Sequence, residues 1–266
     1  MISSKANPKI KNIIKLQKGS ERRKQGLTPV EGLREIERAL RAGWEADSLF
    51  YCQEIAGKKI ESLLPLLDPK CQTELLTDAV FNHIAYRDGS DGILALFKPK
   101  TLSINEIKLS SNPLVVILEA VEKPGNFGAI LRTTDAAGVD AVIICDPLAD
   151  VLNPNVIRSS LGCIFSQQVV VTSSEEAINW LKKNKIKILA TSLIASKDYL
   201  TTDFTLPSAI VMGTESTGLS DHWLNASHEN IRIEMMGIAD SLNVSVAAAV
   251  VVFEAIRQRK QHSGKI

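Results

Sequence analysis

The sequence predicts an α/β chain in which a small α/β segment precedes a larger one built on a parallel sheet. Three observations predict it. Short, continuous apolar runs such as Leu114–Leu118 and Ala141–Cys145 alternate with helical stretches, as strands covered on both faces do. The alternation pauses from Lys98 to Pro113, where two prolines and several Ser, Asn and Thr residues make a linker, and restarts more strongly beyond it. The 266 residues are 45% hydrophobic and 23% charged, which supplies enough apolar surface for a packed core and excludes a dominantly disordered chain.

In the first segment, Ile10, Ile13, Ile14 and Leu16 form a helical stripe after Asn7-Pro8, and Leu33, Ile36 and Leu40 form another that Gly43 closes. Ser48–Cys52 reads as a strand and Ile60–Leu67 as an apolar helix. Glu74–Leu76 reads as a strand, Thr77 as the N-cap of a helix over Asp78–Ala85, and Gly92–Phe97 as a further strand. Beyond the linker, strands are expected at Leu114–Leu118, Ala141–Cys145, Gln168–Val171, Ile186–Ala190, Ala209–Met212 and Ile231–Ile233. Helices are expected at Asn126–Ala137 and Glu175–Lys183. A last helix, Ser241–Arg259 with Ser241 as its cap, is so apolar in its first half that it must be buried in the core or against a second subunit.

The formal charge of +1 hides an asymmetry. Residues 1–41 hold eleven Lys or Arg and four acidic residues, a local balance of +7, which leaves −6 for the rest. Lys5, Lys9, Lys11, Lys15, Lys18, Arg22, Arg23 and Lys24 form a cluster that attracts polyanions; a solvated helix face is the simpler alternative. The longest apolar run, Val246–Phe253, is far short of the ~20 residues of a membrane helix, and the basic N-terminus lacks the apolar core of a secretory signal. Cys52, Cys71, Cys145 and Cys163 have no ligand-like spacing and suit buried positions in a reducing cytoplasm. Four scattered histidines do not suggest a metal site.

Ligands of open α/β sheets gather at the carboxyl ends of strands, and three segments fall there. In Glu119–Gly138, Pro124-Gly125 makes a turn and Gly128 allows close backbone approach, so that backbone N–H groups face an anion with Arg132 one turn further on. A surface pair with Asp135 is the plainer role for Arg132. In Ala209–Ser220, Gly213 and Gly218 resemble a phosphate-cradling loop, but Leu219 stands where the lysine belongs, which argues against triphosphate hydrolysis. Glu215 is the carboxylate of that turn. In Ile231–Ala249, Gly237 permits a bend before Ser241-Leu242-Asn243 opens the last helix. No GxGxxG is present, so a dinucleotide-dependent dehydrogenase is disfavoured.

In this order and spacing, NFGAILRT (126–133), GTESTGL (213–219) and SLNVSVA (241–247) resemble the three motifs of the SpoU (TrmH-like) RNA ribose 2′-O-methyltransferases. NPNVIRSSLG, Asn153–Gly162, resembles the same family, and the resemblance covers roughly 112–258. NPKIKNIIKL and the run VEGLREIERAL are similar to the small substrate-binding domain that often precedes the catalytic one. The resemblance implies an RNA substrate-binding domain of L30e-like α/β fold over 1–98, a linker over 99–112, and a trefoil-knotted SPOUT domain over 113–266. It also implies a cytoplasmic homodimer that uses S-adenosylmethionine to methylate a ribose 2′-hydroxyl of ribosomal RNA, or failing that transfer RNA, and that acts on neither DNA nor membranes. By position it assigns Arg132, Asn126, Glu215 and Asn243 to catalysis, and Gly213, Ile233, Leu242, Met212 and Met235 to the cofactor. Where the family usually has IPM, this chain has Ile233-Glu234-Met235, which removes a stiffening proline and adds a carboxylate. A non-catalytic RNA-binding protein on the same fold is the rival reading.

Overall fold

The computed structural model describes residues 1–194, 196–214 and 216–264. The chain divides into two compact units, Met1–Lys100 with Asp150–Ser166, and Thr101–Ala149 with Gln167–Ile266. Residues up to 100 form helices α1 (Pro8–Lys15), α2 (Gly19–Gln25), α3 (Leu33–Arg41), α4 (Gln53–Ala56) and α5 (Asp78–Ile84), with strands β1 (Thr28–Glu31), β2 (Ala46–Tyr51), β3 (Gln72–Leu75) and β4 (Ile93–Phe97). Then come β5 (Leu114–Glu119), α6 (Pro124–Ala137) and β6 (Ala141–Cys145), followed by α7 (Pro154–Ser159) and α8 (Cys163–Ser166). The remainder forms β7 (Val169–Thr172), α9 (Ser174–Lys183), β8 (Lys187–Thr191), β9 (Lys197–Asp198), β10 (Ser208–Met212), α10 (Asp221–Ala226), β11 (Glu229–Arg232) and α11 (Val244–His262).

The first unit holds a four-stranded sheet in the order β1-β4-β2-β3, with β4 antiparallel to both of its neighbours and β2 parallel to β3. Its core gathers Ile10, Ile13 and Leu16 from the first helical stripe with Phe50, Phe81, Leu94 and Leu96. Asn7 caps α1 as its side chain accepts from the Lys9 N–H. The segment 150–166 folds into this unit. Asp150 accepts from Nε and Nη2 of Arg22, whose Nη1 also donates to the Leu16 and Gln17 carbonyls. Arg38 Nη1 donates to the Leu161 carbonyl at 2.9 Å, and Phe165 meets Trp44 edge-on with centroids 4.9 Å apart.

Several expectations change in detail. The helix expected at Ile60–Leu67 is a pair of 3₁₀ turns, Gly57–Ser62 and Leu64–Leu66, because Pro65 lacks the N–H an α-helix would use. Thr77 stands at the start of α5, but its side chain makes no capping bond. Arg22 does not belong to an RNA-facing cluster: its side chain is 4% exposed and committed to Asp150. Lys9 pairs with Glu74. Lys5, Lys11, Lys15, Lys18, Arg23 and Lys24 are exposed.

The second unit is a seven-stranded sheet in the order β7-β6-β5-β10-β8-β11-β9, parallel at every pairing. Its central apolar strands β5, β6 and β10 are buried on both faces, as their unalternating sequences require. Val115, Ile117, Ile143 and Val211 pack with Trp180 and Trp223. The Trp223 indole donates to Ser174 Oγ, which in turn donates to Asp146. Burial pushes the Cys145 thiol up to about 12, so this cysteine packs as an inert apolar group. Arg259 fastens the end of α11 by donating to the carbonyls of Asn112, Pro113, Phe204 and Leu206. No helix among the described residues is long and apolar enough to cross a membrane.

Candidate active site

All the strands of the second unit run the same way, so their carboxyl ends and the loops that follow lie along one edge of the sheet. The loops after β8, β10 and β11, together with the start of α11, enclose a cavity of about 390 Å³. Met212, Gly213, Ile233, Met235 and Leu242 all line it. These are the five positions that the motif resemblance assigned to a cofactor, and the fold brings them into one cavity from two separate segments, the end of β10 and the loop between β11 and α11. Apolar walls with few polar groups suit a small organic ligand of nucleoside size. Arg232 and Asp240 are the charged residues on the wall, and Arg232 Nη1 donates to the Ser196 carbonyl.

The loop after β10 is a closed turn. Thr214 and Gly218 exchange backbone bonds of 3.1 and 3.2 Å, and the Thr217 N–H donates to Thr214 Oγ1 at 3.0 Å. Gly218 takes a positive φ of 70°. At Gly213 a Cβ would lie 2.4 Å from the Gly218 carbonyl carbon and oxygen, so a side chain cannot be accommodated unless the turn opens. Glu119, at the end of β5, fixes the far end of this loop. One of its oxygens accepts from the Ser220 N–H at 2.9 Å and the other from the Ser220 hydroxyl at 2.6 Å. The sequence offered one signal for that role: an acidic residue terminating an otherwise apolar strand.

A smaller cavity of about 80 Å³ adjoins the first, sharing Gly213, Thr214, Ser216 and Val244, and it is also lined by Lys123 and Asn126. Asn126 lies in the first turn of α6, which begins at Pro124, so Gly128 sits inside the helix rather than at its start. Asn243 Nδ2 donates to Asn126 Oδ1 at 3.2 Å, which ties the first motif to the third. Asn243 is also the N-cap of α11: its Oδ1 accepts from the Ser245 N–H at 3.0 Å and the Ser245 hydroxyl at 2.6 Å. The cap expected at Ser241 therefore moves to Asn243, whose φ of −51° and ψ of 138° are extended where helical angles begin at Val244.

Arg132 lies further along α6, is exposed, and lines neither cavity. Its guanidinium forms no ion pair with Asp135, and among the described residues it forms no other side-chain bond. Glu215 lies outside the described residues. Glu234 is exposed and absent from the cavity wall, whereas its neighbours Ile233 and Met235 line it. Elsewhere, Cys52, Glu54 and Asp78 bring ligand atoms within 4.8 Å of one another, with the sulfur buried and both carboxylates exposed.

A parallel sheet with an apolar cavity at its carboxyl edge, walled by backbone-rich loops, defines a nucleoside-cofactor α/β protein. The SpoU rRNA Methylase family matches residues 113–253, and the MRM3-like substrate binding domain matches residues 7–95. The chain belongs to the SpoU methylase family. It is 31% identical over 252 residues to the 23S rRNA (guanosine(2553)-2′-O)-methyltransferase RlmP of Bacillus subtilis, covering 95% of this chain and 97% of that one. Its fold is similar to that of an AdoMet-bound rRNA methyltransferase from Sinorhizobium meliloti, with a TM-score of 0.89 and 27% identity over 98% of this chain and 97% of that one. A solved RNA 2′-O ribose methyltransferase is 37% identical, with a TM-score of 0.84 and coverage of 97% and 98%.

Proposed function

We propose that this chain transfers a methyl group from S-adenosylmethionine to a ribose 2′-hydroxyl of ribosomal RNA, acting in the cytoplasm as a homodimer with a trefoil-knotted catalytic domain. The observation that carries the reading is the convergence of Met212, Gly213, Ile233, Met235 and Leu242 on one cavity beside the Asn126–Asn243 pair. S-adenosylmethionine supplies an electrophilic methyl group on a sulfonium centre. The cavity fits it: apolar walls accept the adenine and the methionine chain, and loop backbone offers the N–H and C=O groups that a nucleoside needs. Arg232 and Asp240 offer partners of opposite sign for an amino-acid end.

In the transfer, the acceptor 2′-oxygen forms the new O–CH₃ bond as the C–S bond breaks, and its proton passes to water or a phosphate oxygen. Asn126 and Asn243 hold the sugar edge at the smaller cavity. Arg132 binds the adjoining phosphate and stabilises negative charge developing on the oxygen; a guanidinium, always protonated, does not serve as the base. Glu215 keeps its assignment in the loop after β10.

Two features support the dimer. Arg132 lines neither cavity of its own chain, which fits a guanidinium supplied to them by a second copy. Val246 and Phe253, seven residues apart on one face of α11, are each 48% exposed, and Met236 and Ile238 are exposed in the loop that precedes this helix. Pairing of two copies over this face covers the apolar stripe. The test is transfer of radiolabelled methyl from S-adenosylmethionine to ribosomal RNA, followed by digestion to nucleosides. A 2′-O-methylnucleoside is expected, and Arg132→Ala should slow its formation by ~10²–10³. A base-methylated product, or an Arg132→Ala rate equal to that of the parent, refutes the assignment.

A further inference from the structure

The first unit holds a cleft that the catalytic reading leaves unused. It lies between α1, β1, the end of α5 and α7, with Ile13, Pro29, Ile84 and Ile157 among its walls. The α7 side comes from the 153–162 segment, which resembles the family but has no place in the chemistry above. Two polar atoms of the cleft walls, which belong to an ion pair, make no hydrogen bond. Glu31 Oε1 and Arg87 Nε are both sealed from solvent without a hydrogen bond, and at 3.8 Å from each other they are too far apart to satisfy one another. The Glu31 side chain is 9% exposed, and its other oxygen is already taken by the Tyr86 N–H. Leaving such groups unmade is costly, and native chains rarely do so without a ligand or water.

We infer that this cleft receives the edge of an unpaired guanine of the RNA substrate, an inference that rests on RNA being that substrate. A carboxylate only accepts, and Arg87 Nε only donates. The guanine Watson–Crick edge offers the matching order: the O6 acceptor beside the N1–H and N2–H donors. Adenine and cytosine would set a ring acceptor against the carboxylate, and uracil, which matches at O4 and N3–H, would set its O2 acceptor where guanine offers the N2–H donor. The enclosed room, about 30 Å³, admits the polar edge of a base but not its ring, so the ring lies across the mouth. There Tyr86, 39% exposed, offers an aromatic face for stacking. Arg158 on α7 also lines the cleft, is exposed, and makes no side-chain bond among the described residues, so its guanidinium is available to the flanking phosphate.

The test uses the full chain and fluorescein-labelled heptanucleotides of cytidine carrying a central guanosine, adenosine or inosine, read by fluorescence anisotropy. Guanosine should bind about tenfold more tightly than adenosine, with inosine, which lacks the 2-amino group, in between. Glu31→Gln should erase the preference while leaving S-adenosylmethionine affinity unchanged. Arg158→Met should weaken all three oligonucleotides alike and lower the salt slope by about one phosphate contact. If Glu31→Gln fails to fold, the inosine comparison still tests the same contact from the RNA side. Equal affinity of the parent for guanosine and adenosine means that the cleft holds water only and overturns the inference. A preference that survives Glu31→Gln overturns it too. Methylation of RNA with equal oligonucleotide affinities removes this subsite alone, whereas no RNA binding together with no methylation removes the RNA reading and the subsite with it.

Discussion

Gly213→Ala is the sharpest single perturbation of the proposed cofactor cavity. A Cβ there would stand 2.4 Å from both the carbon and oxygen of the Gly218 carbonyl and 2.6 Å from the Leu219 nitrogen. Ordinary contacts lie about 1 Å further out. The obstructing atoms are backbone, so no rotamer change relieves the clash and the turn from Gly213 to Leu219 must open. Forcing one methyl group into a filled site costs about 1–3 kcal/mol. Both cavities include Gly213 and Thr214, so the displacement falls on the walls of each. The expected result is a loss of S-adenosylmethionine affinity of about tenfold or more by calorimetry, with a drop of a few degrees in thermal midpoint. RNA binding should persist, because the basic residues and the first-unit cleft are untouched. Cofactor affinity equal to that of the parent would show that this turn does not bound the ligand, and the placement of the site would fail.

Other outcomes follow from particular contacts. Arg22→Met leaves Asp150 unpaired and removes donors from two carbonyls, and should cost about 2–4 kcal/mol in denaturant unfolding, discounted for the partial exposure of Asp150. Arg23→Met, one residue on and exposed, should leave stability unchanged and weaken RNA binding at low salt. Glu234→Gln should keep S-adenosylmethionine affinity within about twofold by calorimetry, because the carboxylate lies off the cavity wall.

Much of the second unit was legible because a parallel sheet imposes a simple signal. Strands buried on both faces are short apolar runs, and Ala141–Cys145 matches its strand residue for residue. Polar or brief elements were not legible. β1 contains Pro29 and only four residues, β9 has two, and α2 is Gly19–Gln25, with no apolar stripe; none carries a periodicity to find. The burial of Arg22 was hidden because its partner, Asp150, lies 128 residues away. Local charge counting reads such a side chain as solvated. The capping role of Asn243 was missed for a different reason: Ser241 is as good a cap by type, and only the backbone angles decide between them.

The candidate site was legible as three strand-end loops, yet the tie between them was not. Nothing in the sequence sets Asn126 against Asn243, or Glu119 against Ser220, since each bond joins residues more than a hundred positions apart. Composition likewise gave no reason to set Arg132 outside the cavity. That follows from its place on α6, which presents Asn126 to the site and Arg132 elsewhere.

The proposal that two copies complete one active site is tested by mixing two impaired variants at an S-adenosylmethionine concentration that the Gly213→Ala cavity does not bind. Arg132→Ala retains an intact cofactor cavity, and Gly213→Ala retains the guanidinium. Refolded together in equal amounts, they should form hybrid dimers with one complete site, and methyl transfer to ribosomal RNA should return to about a quarter of the parent rate, from half the dimers each working at one of two sites. A mixture as inactive as its components, or a parent protomer fully active as a monomer, would contradict the account.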